Sequence, residues 1–262
     1  MADLIKQTII RSDFCSKVYM YSEVSSTNVI AKKIIEERNE IGFVITAERQ
    51  SAGKGQGGKN WESPQGGLWS SLAIQPQIEL SQLGLVPILS AVGIAKALET
   101  FDIKPLLKWP NDILFKQNLK KIGGILVEGK ITQFKLNYLV IGIGLNVNNT
   151  IDQYSKLLQE QITTIYEELR RKINLSRLLF EIIHQIENSF ERLKLDGSQS
   201  ILEEWKNRDN IIGMNVVVQS PEMDYQGKVA DISSNGQLVL EISDSKRVNL
   251  LTGTVIIRKE NI

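Results

Sequence analysis

The alternation of apolar and polar residues predicts short strands separated by helices. Strands are expected at Val18–Tyr21, Ile41–Ala47, Leu68–Ile74, Leu106–Phe115, Lys120–Glu128 and Phe134–Val147, the fourth interrupted by a Pro-Asn-Asp corner. Helices are expected from about Val29, over residues 80–101 and over residues 153–208, where apolar residues recur at helical spacing. Residues 1–16 show neither the alternation of a strand nor the spacing of a helix, so we expect an irregular N-terminal segment.

The last fifty residues have a different pattern. From Gly213 to Ile262 the sequence alternates in five short strands, and Asn235-Gly236 is a strong hairpin signal. This pattern predicts a small C-terminal β-barrel of the SH3 type, with Arg258 in its last strand. The chain is therefore divided into two predicted domains, residues 1–210 and 211–262.

Composition excludes several classes of protein. The 31 basic and 30 acidic side chains nearly cancel, which gives no general case for binding nucleic acid or a membrane. A single cysteine, Cys15, and a single histidine, His184, exclude a disulfide framework and a soft-ligand zinc site within the chain. The N-terminus lacks a signal-peptide pattern and no apolar run reaches the ~20 residues of a membrane span, so we expect a cytoplasmic protein. We interpret His184 as a packing or surface residue.

The most unusual stretch is residues 43–73, where two predicted strands are joined by a long loop that holds six of the nineteen glycines. Lys54 and Lys59 lie among its glycines, a combination suited to phosphate or carboxylate oxygens. Trp61 argues against a merely flexible connection, because an indole in such a loop needs a surface to cover. The loop, which we call the Gly/Lys loop (residues 53–61), is therefore predicted to wrap an anionic ligand.

Two familiar phosphate-binding motifs match this loop and are rejected. Residues 53–58 fit GxGxxG and residues 53–59 fit GxxxxGK. Both motifs require the loop to open into a helix whose N-terminus holds the phosphates. Here Pro64, Gly66 and Gly67 follow, and a strand is predicted after them, so we expect an anion cradle between two strands.

Other chemistry-bearing residues lie outside the loop. Lys108 and Lys121 bring the candidate lysines to four, enough to neutralise a polyphosphate, and Asp112 is a candidate Mg²⁺ ligand. Glu128 is either a helper or a structural residue. Taken alone, Ser26 and Thr27 are better explained as caps of the following helix than as ligand-binding residues.

Five segments, in order, resemble the successive motifs of biotin–protein ligases. They are Ser-Thr-Asn at 26–28, GKGQGGKNWESPQGGLW from 53, KWPND from 108, KKIGGILVE from 120 and IGIGLNV from 141. The resemblance implies an α+β fold. Its core is a mixed sheet with flanking helices, similar to class II aminoacyl-tRNA synthetases and lipoate ligases, followed by an SH3-like β-barrel.

The resemblance implies a ligase that uses ATP, biotin and Mg²⁺. It would activate biotin as biotinyl-5′-AMP and transfer the biotinyl group to a lysine of a biotin carboxyl carrier protein, such as that of acetyl-CoA carboxylase. Lys121 matches the family lysine between the biotin carboxylate and the phosphate, so it is assigned the central electrostatic role. The implied biotin-binding residues are Ser26, Thr27, Gln50, Gly53, Lys54, Gly55, Lys121, Gly123 and Gly124. The implied ATP- or adenylate-binding residues are Lys54, Gly55, Gln56, Lys59, Trp61, Lys108, Asn111, Lys121 and Asn146, with Asp112 as the metal ligand.

One departure from the family pattern concerns the Gly/Lys loop. The family loop commonly reads G-R-G-R-x-G-R, whereas the basic positions here are Lys54, Gln56 and Lys59. Lysine is a point charge where guanidinium binds in bidentate fashion, and Gln56 carries no charge. We therefore expect a looser hold on the adenylate than an arginine-bearing loop would give.

Two alternatives stay open at this level. A lipoate–protein ligase would use the same acyl-adenylate chemistry, although KWPND, the Gly/Lys loop and the C-terminal barrel favour biotin. A non-catalytic interaction module on a nucleotide-binding scaffold would leave Lys108, Asp112 and Lys121 without a shared purpose. Only about 25 residues precede Ser26, too few for a DNA-binding domain, so we expect a ligase with no repressor function, as a monomer or homodimer.

Overall fold

A large mixed sheet forms the centre of the molecule. The computed structural model describes residues 4–9, 12, 14–243 and 246–257. The strands of the large sheet are β1 (Leu4–Ile9), β2 (Lys17–Val24), β3 (Phe43–Gln50), β4 (Leu68–Ile74), β5 (Pro105–Lys108), β6 (Asp112–Phe115), β7 (Lys121–Thr132) and β8 (Lys135–Leu145). Their order is β1-β2-β3-β4-β8-β7-β6-β5, with β2 and β3 parallel and every other pair antiparallel.

Helices cover both faces of this sheet. They are α1 (Thr27–Arg38), α2 (Leu85–Glu99), α3 (Lys156–Gln159), α4 (Ile165–Leu169), α5 (Leu175–Asp196) and α6 (Ser198–Lys206). Successive strand residues point to opposite faces. Accordingly, Leu139 and Ile141 of β8 join the core under α2 and α5, whereas Val140 joins the smaller core under α1. Burial on both faces explains why β4 is apolar along most of its length and fully buried.

The C-terminal segment forms a second, antiparallel sheet. Its strands are β9 (Asn215–Gln219), β10 (Asp224–Ile232), β11 (Leu238–Ser243), β12 (Lys246–Leu250) and β13 (Thr254–Ile257), in the order β12-β11-β10-β9-β13. The predicted hairpin at Asn235-Gly236 is confirmed, with Gly236 at φ +81°. In the described part of the chain the edge strands β12 and β13 do not pair with each other, so the predicted barrel is observed as a five-stranded sheet.

This second sheet packs against the N-terminal end of α2. A Cβ on Gly84 would lie 2.4 Å from the carbonyl oxygen of Asn235, so only glycine permits this approach. The apolar side chains of the C-terminal sheet also belong to the same buried cluster as those of α2 and α5. The boundary between residues 1–210 and 211–262 stays a prediction.

Three local predictions were wrong. Residues 4–9, expected to be irregular, form strand β1 and pair with β2, although Leu4 is half-exposed at this sheet edge. The stretch 153–208 is not one helical run, since residues 160–164 and 170–174 separate α3, α4 and α5. Ser26 occupies the N-cap of α1, but its side chain makes no capping hydrogen bond.

Other expectations are confirmed. His184 is exposed on α5, next to Asn188. Arg258 lies outside the described residues. No helix in the described ranges is long and apolar enough to span a membrane.

Candidate active site

A cavity of about 500 Å³ opens where the large sheet, the Gly/Lys loop and the C-terminal sheet meet. Side chains from β7 and β8 form its floor, among them Lys121, and the Gly/Lys loop forms one wall. Lys108 and Asp112, from β5 and β6, form another. The volume lies within the range typical of small-ligand sites.

The Gly/Lys loop is an ordered hairpin rather than a flexible connection. The Gly55 N–H donates to the Lys59 carbonyl over 2.7 Å, and the Trp61 N–H donates to the Gly53 carbonyl over 3.0 Å. Gly57 and Gly58 have φ of +67° and +77°, the left-handed region that favours glycine. The next regular element is the strand β4, so the rejection of a P-loop and of a dinucleotide-binding turn is confirmed.

Trp61 crosses the floor of the cavity over two glycines. Gly124 and Gly144 are direct partners on β7 and β8, and a Cβ on either would lie within 3.3 Å of the indole. The Lys121 ammonium lies 4.9 Å from the centroid of the indole, in a cation–π arrangement. The buried indole Nε1 has no hydrogen-bond partner among the described residues, so it is a donor available to a ligand.

Positive charge is concentrated beside this indole. The Lys121 ammonium forms an ion pair with the Asp112 carboxylate. Burial lowers the pKa of Lys108, as do the charges of Lys121 and Lys59, while the charge of Asp112 opposes the shift. Lysines held close together against mutual repulsion are suited to a ligand with several negative charges.

The other end of the cavity is polar and uncharged. Gln50 accepts a hydrogen bond from the Thr27 main-chain N–H at 2.8 Å, and its amide nitrogen donates to Ser63 Oγ at 2.8 Å. Ser63 Oγ donates to the Trp61 carbonyl at 3.1 Å, which connects this pocket to the Gly/Lys loop. Ser71 Oγ lies 2.7 Å from Thr27 Oγ1.

Behind the polar pocket, Glu128 binds two donors. Its carboxylate accepts from Lys32 Nζ at 2.7 Å and from Asn28 Nδ2 at 2.8 Å. Burial alone would raise the pKa of Glu128, but the hydrogen bonds from Lys32 and Asn28 and the charges of Lys32 and Lys54 outweigh burial, so the pKa is lowered. Glu128 is therefore ionised at neutral pH and acts purely as an acceptor.

The C-terminal sheet supplies the last wall. Gln56 Nε2 donates to Thr252 Oγ1 at 2.8 Å, and Lys59 Nζ donates to Thr254 Oγ1 at 3.1 Å. Residues 253–255 and Ile257 line the cavity. Segments that are far apart in the sequence therefore contribute to one site.

Comparison with known proteins identifies the family. The model of the biotin/lipoate A/B protein ligase family matches residues 20–146, the part of the chain that carries most of the cavity. This part of the chain is a domain of that family.

Relatives match well beyond the family segment. The bifunctional ligase/repressor BirA of Bacillus spizizenii is 29% identical over 238 residues, which cover 90% of this chain and 73% of that protein. The biotin–protein ligase of Homo sapiens is 30% identical over 199 residues, covering 71% of this chain and 27% of that protein. The structure of a biotin protein ligase from Aquifex aeolicus in complex with biotin and ATP has a TM-score of 0.77 at 26% identity, covering 92% of this chain and 98% of that one. The expected ligase fold, a mixed sheet with flanking helices and a small C-terminal sheet, is confirmed.

The ligase cavity brings together most of the residues singled out from the sequence. Those that line it are Ser26, Thr27, Gln50, Lys54, Gly55, Gln56, Lys59, Trp61, Lys108, Asn111, Asp112, Lys121, Gly124 and Asn146. The preferred interpretation of Ser26 and Thr27 as helix caps is corrected. Ser26 makes no cap bond through its side chain, and the Thr27 hydroxyl contacts Ser71 and Gln50 instead.

Two predicted biotin-binding glycines do not line the cavity. A Cβ on Gly53 would lie 2.4 Å from the Trp61 carbonyl oxygen, so this glycine permits the loop to fold on itself. A Cβ on Gly123 would lie 2.3 Å from Leu145 Cδ2 and 2.8 Å from the Gly144 carbonyl, so this glycine permits β7 to pack against β8. Close contacts with other parts of the chain therefore explain why glycine occupies positions 53 and 123.

Two asparagines among the predicted adenylate-binding residues are hydrogen-bonded to neighbouring elements of the protein. Asn146 donates to the Thr163 carbonyl at 3.1 Å and accepts from the Tyr154 hydroxyl at 2.7 Å. Asn111 donates to the Ile125 carbonyl at 2.6 Å. Both side chains position the wall of the cavity through these bonds.

Several lining or supporting residues were missed from the sequence. Asn28 was named only as the last residue of the Ser-Thr-Asn motif, without a role of its own, and Ser71 lies in a strand that is mostly apolar. The lining residues of β13 carry no distinctive chemistry, so no motif could have revealed them. Asn28 alone had a usable signal, because an amide on the buried face of a helix requires partners.

Proposed function

We propose that this chain is an ATP-dependent biotin–protein ligase, which forms biotinyl-5′-AMP and transfers the biotinyl group to a lysine of a biotin carboxyl carrier protein. The observation that carries the proposal is the position of Lys121. Its ammonium forms an ion pair with Asp112 and lies over Trp61, in the same cavity that Thr27, Gln50 and the other lysines line. One cavity therefore offers uncharged hydrogen-bonding groups for a neutral ring and lysines for a polyphosphate.

The charges suit the first half-reaction. A carboxylate oxygen of biotin attacks the α-phosphorus of ATP, and pyrophosphate leaves with the electrons of the broken P–O bond. Both reactants are anionic, so Lys121, Lys108 and Lys59 reduce their repulsion and stabilise the charge that builds up in the transition state. Holding the reactants in line contributes an effective molarity of ~10⁵ M or more, without a protein nucleophile.

The second half-reaction needs access and protection from water. The acceptor lysine nitrogen attacks the acyl carbon, the C–O bond to phosphate breaks, AMP leaves and the amine loses a proton. The Gly/Lys loop, seated on Thr252 and Thr254, covers the site of the adenylate and limits its hydrolysis. Carriers that match this role belong to biotin-dependent carboxylases, since one similar protein in Paracoccus denitrificans is named biotin–[acetyl-CoA-carboxylase] ligase.

Magnesium fits this site only in part. The described residues contain no group of three histidine, cysteine or acidic side chains that could hold a metal ion, and Asp112 is the acidic residue beside the lysines. Mg²⁺ commonly takes one or two carboxylates and completes its shell with phosphate oxygens and water, which a single aspartate allows. Asp112 would hold the ion, and the ion would neutralise phosphate charge.

The test is ATP–pyrophosphate exchange with purified protein and Mg²⁺, run in parallel with biotin, lipoate or no acid. Exchange that requires biotin is expected. Exchange with lipoate alone would move the protein to lipoate ligation, and exchange with neither acid from a folded sample would contradict a ligase. A biotin carrier domain should then be labelled, whereas the same domain with its acceptor lysine replaced by arginine should not.

Three further expectations belong to this proposal. A cytoplasmic location is predicted from the sequence, and so is the absence of a repressor function, which tight sequence-specific binding in a gel-shift assay would contradict. The oligomeric state is predicted as monomer or homodimer, to be decided by light scattering.

A further inference from the structure

A partly exposed carboxylate is connected to the polar end of the cavity by consecutive hydrogen bonds. Glu128 Oε1 accepts from Lys32 Nζ at 2.7 Å, and Oε2 accepts from Asn28 Nδ2 at 2.8 Å. The Asn28 side chain is buried, and its Oδ1 lies 2.6 Å from Ser71 Oγ. Ser71 Oγ in turn lies 2.7 Å from Thr27 Oγ1, which lines the cavity.

The donors and acceptors along this connection have only one consistent arrangement. An ionised carboxylate only accepts, so the amide nitrogen of Asn28 faces Glu128, where the Leu126 carbonyl also accepts at 3.4 Å. The Asn28 carbonyl oxygen therefore faces Ser71. The single hydroxyl proton of Ser71 is donated to that oxygen, since Oδ1 has no proton to give.

The consequence for Thr27 follows directly. The Ser71 oxygen is left as an acceptor, and Thr27 donates its hydroxyl proton to it over 2.7 Å, a shorter distance than the 3.2 Å to Gln50 Oε1. With its proton committed inside the protein, Thr27 Oγ1 can only accept from a ligand. A ligand group that meets Thr27 must carry a proton.

We propose that Glu128 and Asn28 are positioning residues that fix the Thr27 hydroxyl as a hydrogen-bond acceptor and thereby select a ligand ring with an N–H group. The proposal rests on the proposed function, in which the N–H belongs to the ureido ring of biotin. The dithiolane ring of lipoate has no N–H. The arrangement therefore favours biotin over lipoate through residues that need not touch either ring.

Single substitutions of Glu128 or Asn28 that exchange a hydrogen-bond donor and an acceptor should weaken biotin binding. In Glu128→Gln, the Lys32 ammonium keeps the one remaining carbonyl oxygen, so Asn28 faces an N–H₂ group and is driven to rotate. In Asn28→Asp, two carboxylates come together where an amide donated to a carboxylate. The first change reverses the hydrogen bond at Asn28, and the second displaces residue 28 by repulsion from Glu128, so each disturbs the fixed acceptor at Thr27. We expect KM for biotin to rise tenfold or more.

The double variant Asn28→Asp/Glu128→Gln should restore the arrangement with the roles exchanged. The new amide at position 128 would present its oxygen to Lys32 and its N–H₂ group to the new carboxylate at position 28. The second oxygen of that carboxylate would still accept from Ser71. The pair keeps its total charge, and we expect KM for biotin to return to within about threefold of the parent value.

The experiment measures KM for biotin and for ATP in pyrophosphate exchange, with thermal melting of each variant. Glu40→Gln is the matched control, because Glu40 likewise accepts from a lysine, Lys17, and a neutral donor, Tyr19, each at 2.8 Å. It should leave both constants unchanged, and KM for ATP should stay within about twofold in every variant. If Asn28→Asp fails to fold, Glu128→Gln alone must raise KM for biotin.

Three results would overturn the proposal. They are parent-like KM for biotin in the folded single variants, a double variant no better than the worse single one, and an equal rise in KM for ATP. Failure of the proposed function is a separate result, because it would be seen as the absence of biotin-dependent exchange in the parent protein.

Discussion

The indole N–H of Trp109 donates a hydrogen bond to the main-chain carbonyl of Gly236 over 3.0 Å. Trp109 directly follows Lys108, and Gly236 belongs to the hairpin turn between β10 and β11. Both groups are buried. One side chain therefore joins the lysine-bearing corner of the cavity to the C-terminal sheet.

Trp109→Phe should reduce the free energy of unfolding. The substitution leaves the Gly236 carbonyl buried without its donor, which costs about 1–3 kcal/mol, and it leaves a small void. Urea denaturation followed by circular dichroism measures the change. A transition midpoint equal to that of the parent would show that this bond contributes nothing.

Lys121→Ala should reduce biotin-dependent pyrophosphate exchange by about 100-fold or more, because the substitution removes a cation aimed at developing negative charge. The melting temperature should change little, since the side chain is part-exposed and its loss frees Asp112 to be solvated. Lys116→Ala, an exposed lysine on the turn after β6, is the control and should keep parental activity. Near-normal exchange in Lys121→Ala would remove Lys121 from the mechanism.

The alkaline limb of the pH–rate profile should lie below the pKa of an ordinary lysine. Burial and the charges of Lys121 and Lys59 lower the pKa of Lys108, so its positive charge is lost earlier as the pH rises. Asp112→Asn removes the charge that opposes this shift and should move the limb to still lower pH. Lys108→Arg should move it to higher pH, because a guanidinium stays protonated. A limb that does not move in either variant would exclude Lys108 as its origin.

Gly123→Ala and Gly124→Ala, one residue apart, should have different effects. A Cβ at 123 would meet the Gly144 carbonyl at 2.8 Å, so Gly123→Ala should lower stability by about 1–3 kcal/mol. The atoms nearest to a Cβ at 124 would be those of the Trp61 ring at 3.3 Å and Lys121 Cε at 3.4 Å, so Gly124→Ala should raise KM for ATP with a smaller loss of stability. Melting curves and exchange kinetics distinguish the two. The opposite ranking in stability would contradict the assignment.

Gln56→Arg should slow dissociation of the adenylate, because a guanidinium adds a charge and bidentate hydrogen bonding at the loop. In the parent, Gln56 is bound to Thr252 of the C-terminal sheet. Thr252→Val removes that partner without adding charge and serves as the control for loop mobility. An unchanged dissociation rate in Gln56→Arg would refute the expected looser hold.

Much of the fold was predictable because burial leaves a period in the sequence. Leu68–Ile74 was predicted as a strand with the observed bounds, since burial on both faces gives a mostly apolar run between glycines and a proline. β1 was missed because an edge strand is half-exposed, and its residues Leu4–Ile9 mix Lys6 and Gln7 with apolar positions. Helical spacing did not reveal the breaks before α4 and α5, where Thr164 and Asn174 cap the helices.

The site was predictable where chemistry is local and hidden where it depends on distant contacts. Lys108, Asp112 and Lys121 stand out as charges within strand-like segments, and the fold does bring them together. Gly53 and Gly123 approach other parts of the chain rather than line the cavity, and a glycine in the sequence does not say whether a ligand or another strand approaches it. The role of Asn28 depends on Glu128, one hundred residues further along the chain.

The wall formed by β13 has a consequence for the synthesis of the protein. Gln56 and Lys59 rest on Thr252 and Thr254, which follow them in the chain by 196 and 195 positions. During synthesis the Gly/Lys loop therefore leaves the ribosome long before Thr252 and Thr254 do. Until these two residues have been made, the cavity lacks the wall that they form. A nascent chain cannot hold an activated acyl group securely before β13 has emerged.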